Sequence, residues 1–221
     1  MSRSHKIYGY IFFLLVIAGI GMGETLDHGV TGFLYRKFPN IWLQDIQPIH
    51  FFLYQMPKII IGISIGWWSV CLLFYPDSSW SERVDYYGRA LIFSLSLIIL
   101  VVVLKWITNT SCPWDSVRYG GVVESTRWLF HGNGLQRYEC FPAGHATSGF
   151  ALLGWLYVYK DRQSHSMFAL IVFFGLCLGS YQIMRGAHYV SHTLMTWYLA
   201  CLLWELCVWL PIARASDAVY D

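Results

Sequence analysis

Three groups of polar side chains interrupt a chain that is otherwise strongly apolar. They are Lys105 followed by Cys112-Pro113-Trp114-Asp115, then Pro142-Ala143-Gly144-His145, then Gln182, Arg185, His188 and His192. Each group stands near the end of an apolar stretch. Together they suit phosphoryl transfer, because cations bind the phosphoryl oxygens, one histidine attacks phosphorus and another protonates the leaving oxygen.

The third group has the spacing of one helix face. If this segment is helical, residues 182, 185, 188 or 189, and 192 lie on the same side, and Arg185 projects beside His188. A neighbouring cation lowers the pKa of a histidine, which keeps its ring neutral and nucleophilic near pH 7.

The second group stands at a predicted helix start. Backbone N–H groups there form an anion site, and Gly144 lets a ligand approach them closely. His145 lies at the edge of this site, where it can give or take a proton, and Lys105 adds a fixed positive charge.

Zinc is the alternative use of the third group. His188 and His192, four residues apart, can bind zinc when a third ligand is near. No glutamate follows His188, so the zinc-protease pattern is absent. We therefore expect no metal and no cofactor.

The composition indicates the elements that position these groups. Of the 221 residues, 56% are hydrophobic and 13% are charged, whereas a soluble domain is nearer 25% charged. So much apolar surface favours lipid as the solvent. The net charge of +2 gives no reason to expect a nucleic-acid partner.

Apolar stretches long enough to cross a bilayer predict an all-α polytopic membrane protein with about six transmembrane helices. The predicted spans are 7–22, 59–75, 90–107, 146–159, 166–184 and 194–210. No internal repeat is evident, so residues 1–221 are interpreted as a single domain. Glu205 falls within the sixth span, where an acid either serves function or bonds a neighbouring helix.

The alternation of spans places all three polar groups on the same side of the membrane. The positive residues are evenly divided between the two sides, so the positive-inside rule decides little. Most of the positive residues on the side of the three polar groups cluster around the candidate site, which explains their presence there. We therefore place both termini on the opposite side, in the cytoplasm. Cys112 and Cys140 then share one outer loop, where an oxidising compartment would allow a disulfide. The sequence leaves that pairing open.

The three motifs resemble those of the type 2 phosphatidic acid phosphatase superfamily of membrane lipid phosphatases. That family has Lys, six residues, Arg-Pro; then Pro-Ser-Gly-His; then Ser-Arg, five residues, His, three residues, Asp. This chain has Lys105, six residues, Cys112-Pro113; then Pro142-Ala143-Gly144-His145; then Tyr181-Gln182, five residues, His188, three residues, His192. The resemblance covers residues 105–192.

The resemblance implies a metal-independent phosphatase with a phosphohistidine intermediate. His188 matches the nucleophile, His145 the acid, Lys105 a phosphate-binding cation and Gly144 a backbone donor. Bacterial relatives act on undecaprenyl diphosphate, phosphatidylglycerol phosphate or lipid A phosphates, so we expect an inner-membrane location with a periplasmic site. A lipid phosphotransferase and a non-catalytic phospholipid-binding protein are the alternatives.

Four positions depart from the family pattern: Cys112, Ala143, Gln182 and His192. We expect Arg185 to replace the charge missing at Gln182, and an arginine of the outer loop to replace the other. The candidates for the latter are Arg118, Arg127 and Arg137. His192 or Asp115 is expected to orient His188.

Overall fold

The computed structural model describes residues 25–39, 47–76, 78–124, 138–159 and 164–209. Within these ranges the regular structure is helical, apart from one isolated bridge between Ser116 and Val123. The helices are α1 (25–37), α2 (Phe51–Phe74), α3 (Arg89–Thr108), α4 (Gly144–Phe150, continued by Ala151–Gly154 and Trp155–Val158), α5 (Ser164–Met184) and α6 (Val190–Trp209). The predicted all-helical class is confirmed for this part of the chain.

Three stretches among the described residues are long and apolar enough to cross a membrane: Phe51–Phe74, Trp80–Asp115 and His165–Met184. They correspond to the second, third and fifth predicted spans, and they make the chain a membrane protein. The predicted fourth and sixth spans are helical, as α4 and α6, but are not among these three stretches. The first predicted span, 7–22, lies outside the described residues, so a count of six is not confirmed.

The apolar side chains divide between two environments. Ile63, Phe74, Ile99 and Phe173 are each more than half exposed, as suits side chains that face lipid. In contrast, an aromatic and aliphatic core between the helices is completely buried: Trp68, Phe93, Leu97 and Phe150. This core holds α2, α3 and α4 together beneath the polar groups.

Small residues let α4, α5 and α6 approach one another closely. A Cβ on Gly149 of α4 would lie 2.6 Å from the Cα of Gly175 on α5. A Cβ on Gly179 of α5 would overlap Thr193 of α6. Backbone approach of this kind is how helices associate in membranes. It brings the start of α4 beside the end of α5 and the start of α6.

The loop after α3 is bound to the chain that precedes α4. Helix α3 ends at Asn109, which has a left-handed conformation with φ of 45° and donates its N–H to the carbonyl of Lys105. Thr108 then donates its hydroxyl to the carbonyl of Phe141 at 2.8 Å, and Cys140 donates its N–H to the carbonyl of Thr110 at 3.0 Å. These bonds join the first polar group to the second.

Candidate active site

The three polar groups meet at one end of the helices. A Cβ on Gly144 would lie 3.0 Å from Cε of Lys105, whose ammonium donates to the carbonyl of Glu139. The ring centroid of His145 lies 6.0 Å from that of His188, which in turn lies 5.7 Å from that of His192. Side chains of α3, α4 and the connection from α5 to α6 therefore form one cluster.

His188 lies in the connection between α5 and α6 and not on a continuous helix. Gly186 has a φ of +74°, and Ala187 donates its N–H back to the carbonyl of Gln182, the arrangement that ends many helices. The single helical face predicted for residues 182–192 is therefore interrupted. The turn brings His188 inward, while Gln182 stays on α5 and His192 enters the first turn of α6.

His188 is buried, with 3% of its surface exposed. Burial lowers its pKa well below the usual value, and His192, Lys105 and His145 act in the same direction. A hydrogen bond to the backbone carbonyl of Cys140 acts in the opposite direction. The ring is therefore neutral near pH 7, as a nucleophile must be.

The neighbours of His188 on its Nδ1 side are His192 and Cys140. Nδ1 of His188 lies 3.5 Å from Nδ1 of His192 and 3.4 Å from Sγ of Cys140. Nδ1 of His192 also lies 3.1 Å from the carbonyl oxygen of Cys140. Because a carbonyl only accepts, this nitrogen of His192 carries the proton. The structure thus gives His192 a donor role towards the carbonyl of Cys140.

Asp115 has a different contact. Its carboxylate accepts the backbone N–H of Cys112 at 2.9 Å, which closes the short turn Pro113–Asp115. Of the two orienting candidates, His192 is the one whose ring nitrogen lies beside His188.

His145 has both of its ring nitrogens buried without a hydrogen-bond partner among the described residues. Its ring lies 4.3 Å from that of Tyr54. Burial first, and then Lys58, Lys105 and Arg185, lower its pKa to about 3. Buried nitrogens with no partner are rare in folded proteins, and here they belong to a ring whose centroid lies 6.0 Å from that of the nucleophile candidate.

Gln182 and Arg185 form a pair on α5 and in the connection after it, as their spacing predicted. Arg185 donates to Oε1 of Gln182 at 3.3 Å and lies over the ring of Tyr181. Gln182 is completely buried, and its Nε2 has no hydrogen-bond partner in the described part of the chain. This amide is therefore a second donor that a ligand could satisfy.

A disulfide joins Cys112 to Cys140, with their Cα atoms 5.2 Å apart. It bears on the zinc alternative, because the donor atoms of Cys140, His188 and His192 lie within 4.8 Å of one another. A sulfur in a disulfide has no thiolate to bind a metal and no proton to donate. While this bond is intact, the third ligand that zinc would need is not provided by Cys140.

The sequence of the chain decides its family. A sequence model described as the PAP2 superfamily matches residues 87–215, more than half of the chain, and this range includes all three polar groups. The chain belongs to the PAP2 superfamily. PAP2 members are phosphatases that act on phosphate esters, often those of lipids. No curated protein and no solved structure matches the chain.

Residues around the start of α2 lie beside this candidate site of the PAP2 protein, and the sequence motifs did not reveal them. Lys58 lies over the ring of Tyr54 at 3.8 Å, and Tyr54 contacts His145. The ring of His50 also stacks on that of Tyr54, and their ring centroids lie 4.4 Å apart. The available signal was a lysine at the start of an apolar span, much as Lys105 stands at the end of one.

Asp27 of α1 binds the segment that carries the candidate nucleophile His188 in this PAP2 protein. Its carboxylate accepts the backbone N–H of Ser191 at 2.9 Å and the hydroxyl of Ser191 at 2.5 Å. Asp27 is buried, and this burial raises its pKa. Ser191 stands between His188 and His192, so α1 holds the first turn of α6 in place.

The remaining candidates lie away from the histidines. Arg118 lines a cavity beside α1, and Glu205 is exposed on α6. Arg127 and Arg137 lie outside the described residues.

Proposed function

We propose that this PAP2 protein is a metal-independent lipid phosphatase that hydrolyses a lipid phosphate or diphosphate at the extracytoplasmic face of a bacterial inner membrane. The observation that carries the proposal is His145, whose buried ring nitrogens have no partner among the described residues and whose ring centroid lies 6.0 Å from that of the neutral His188. A substrate phosphate between the two rings would give these nitrogens their partner.

In the first step, Nε2 of His188 attacks phosphorus and the bond from phosphorus to the lipid oxygen breaks. His145, as the imidazolium, gives its proton to that oxygen, so a lipid alcohol leaves, or a lipid monophosphate when the substrate is a diphosphate. A phosphate bound beside His145 opposes the neighbouring cations and raises the pKa of this histidine, which allows the ring to carry the proton.

In the second step, neutral His145 takes a proton from water as the water oxygen attacks phosphorus. The bond from phosphorus to nitrogen breaks, phosphate leaves, and both histidines return to their starting states. The same residue acts as acid and then as base, as the reversal of roles requires.

The backbone carbonyl of Cys140 takes the place of the aspartate that orients the nucleophile in the family pattern. In this proposal Nδ1 of His188, the ring nitrogen that lies on the Cys140 side, donates its proton to this carbonyl and leaves the lone pair on Nε2. His192 donates to the same carbonyl and packs beside the ring. The disulfide of Cys140 keeps this acceptor in position.

The phosphate oxygens are bound by Lys105, Lys58 and Arg185, with the backbone N–H of Gly144 and the amide of Gln182. Lys58 and Arg185 act electrostatically on His145, so they lie within reach of a phosphate at this ring. They supply the positive charge missing at Cys112 and Gln182. Cations in a site that excludes water stabilise the charge that develops on the phosphoryl oxygens.

The deciding experiment is phosphate release by the purified protein in detergent with excess chelator. The substrates are undecaprenyl diphosphate, phosphatidic acid, phosphatidylglycerol phosphate and lipid A. His188→Ala should lower the rate at least about 1000-fold, because it removes the nucleophile. His165→Ala, at an exposed histidine on α5, is the matched control and should keep the wild-type rate.

Release that survives chelator and is lost only in His188→Ala supports the proposal and ranks the substrates. Equal rates in His188→Ala and wild type would contradict it. If the folded protein released phosphate from no lipid, a phosphotransferase or a binding protein would replace the proposal, and an acceptor lipid would then be added.

A further inference from the structure

A polar cavity lies between α1 and the turn Val117–Tyr119. It has a volume of about 620 Å³, within the range of ligand pockets. Its lining comes from α1 and from the turn Val117–Tyr119: Thr25, His28, Gly29, Gly32, Tyr35, Arg36, Arg118 and Tyr119. None of these eight residues belongs to the cluster around His188.

The chemistry of this cavity is that of an anion site. Two guanidinium groups, of Arg36 and Arg118, line it together with an imidazole and two phenols, and no acid is among the described residues of its lining. Guanidinium groups match the oxygens of phosphate in paired hydrogen bonds. The volume exceeds that of one phosphate, so there is room for the glycerol or sugar that carries it.

The frame of the cavity is fixed by contacts among its aromatic side chains. His28 shares a hydrogen bond of 3.0 Å with the hydroxyl of Tyr119, and the ring of Tyr35 lies 5.8 Å from that of Tyr119. On α1, Gly29 and Gly32 leave open space, because a Cβ at either would have no neighbour within 4 Å. The small residues therefore form the cavity without closing it.

The cavity is joined to the catalytic cluster by a short series of ring contacts. The ring of His28 lies 5.8 Å from that of Tyr189, which lies 5.3 Å from that of His192. Asp27, next to His28, binds Ser191. A ligand held in the cavity therefore has a fixed position relative to His188.

We propose that this cavity binds a second phosphate of the lipid headgroup, separate from the phosphoryl group that His188 attacks. The inference rests on the proposed function, and it names the substrate class as a lipid that carries two phosphates in its headgroup region. Phosphatidylglycerol phosphate is a lipid of this class, whereas phosphatidic acid has one phosphate.

The test compares kcat/KM for phosphatidylglycerol phosphate with that for phosphatidic acid. Arg36→Gln removes a cavity cation, and Gly32→Leu fills the open space without removing any contact. Each should lower the preference for the two-phosphate lipid about tenfold, the size expected when a hydrogen bond to a charged group is lost. The controls are Lys37→Gln, an exposed lysine next to Arg36, and Gly66→Leu, a helical glycine of α2 with equally open surroundings. Both controls should keep the wild-type preference.

A second measurement separates this inference from the proposed function. The affinity of each lipid for His188→Ala, alone and combined with Arg36→Gln, is measured in detergent, where no turnover is needed. A loss of affinity for phosphatidylglycerol phosphate alone supports the cavity even if no lipid is hydrolysed. An unchanged preference in both cavity variants, or the same loss with both lipids, would overturn it.

Discussion

At the scale of single residues, the candidate site depends on histidines that burial keeps neutral. His188 is almost completely buried, and His192, Lys105 and His145 lower its pKa further. Catalysis benefits from this state in His188 but requires the opposite state, transiently, in His145. The substrate phosphate supplies the difference, because its negative charge favours the imidazolium.

Acid should destabilise the protein through His188. In the unfolded chain this histidine binds a proton below its ordinary pKa of about 6.5, while in the folded protein it stays neutral to much lower pH. The stability is therefore complete above pH 6.5 and falls by up to about 1.4 kcal/mol for each pH unit below it. Thermal unfolding in detergent from pH 7.5 to 5 measures this loss.

The matched comparison for this prediction is His188→Gln against His165→Gln. The first should make the unfolding midpoint less sensitive to acid than in the wild type, while the second, at an exposed position, should not. Parallel pH profiles for wild type and His188→Gln would contradict the assignment of acid sensitivity to His188.

Lys58→Gln should lower kcat/KM for lipid phosphates about ten- to a hundredfold. This change removes one of the cations near His145 while it keeps a polar side chain at the position. Initial rates at several lipid concentrations in mixed micelles give the value. Lys37→Gln, which removes an exposed lysine at the end of α1, should behave as wild type. An equal loss of kcat/KM in both variants would point to a surface-charge effect.

The site residues that the sequence revealed stand in local motifs, whereas those that it missed depend on contacts between distant parts of the chain. Lys105, Gly144, His145 and His188 stand in motifs whose local spacing is informative by itself. Lys58 joins them only because α2 packs beside α4, so its role depends on a contact between distant parts of the chain. Asp27 is the extreme case, since its partner Ser191 is 164 positions away.

At the scale of elements, the site is assembled by close packing of α4 on α5. Gly175→Leu should push these helices apart, because even a Cβ at this position would overlap Phe150. We expect a loss of about 1–3 kcal/mol in stability, as for other overpacked cores, together with reduced phosphatase activity. The unfolding midpoint and the phosphate-release rate are measured on the same preparation.

Gly66→Leu on α2 is the control for this packing prediction, because a Cβ there has no neighbour within 4 Å. It should leave both quantities close to the wild-type values. A Gly175→Leu protein that was as stable and active as the wild type would show that α4 and α5 do not need this contact.

Hydropathy located the elements well but misplaced their ends on the site side. The second span was predicted from residue 59, whereas α2 begins at Phe51, and the sixth from 194, whereas α6 begins at Val190. The added turns carry Tyr54, Lys58 and His192, which face the site and not the lipid. A scale that measures transfer into lipid has no information about such turns.

At the scale of the whole molecule, the disulfide between Cys112 and Cys140 joins the first polar group to the segment that precedes the second polar group. It closes a loop of 28 positions, which corresponds to about 3–4 kcal/mol in the chain-entropy description. Reduction should therefore lower the unfolding midpoint, and it should also slow phosphate release, because the carbonyl that orients His188 belongs to Cys140.

Thermal unfolding and activity with and without reductant measure both effects. A protein with Cys112→Ser and Cys140→Ser should start at the lower midpoint and no longer respond to reductant. Thiol counting on the unreduced, denatured wild type should find the other four cysteines free: Cys71, Cys177, Cys201 and Cys207. Six free thiols would show that the bond does not form.

The bond between Asp27 and Ser191 has a consequence for the order in which the protein is made. Synthesis at about 5–20 residues per second separates the two residues by roughly 8–33 seconds, since 164 positions lie between them. Until Ser191 has been synthesised, the carboxylate of Asp27 lacks the partner that satisfies it in the finished fold. The start of α6 is therefore bound to α1 only after Ser191 has emerged, so we expect the candidate site to be complete only once α6 is in place.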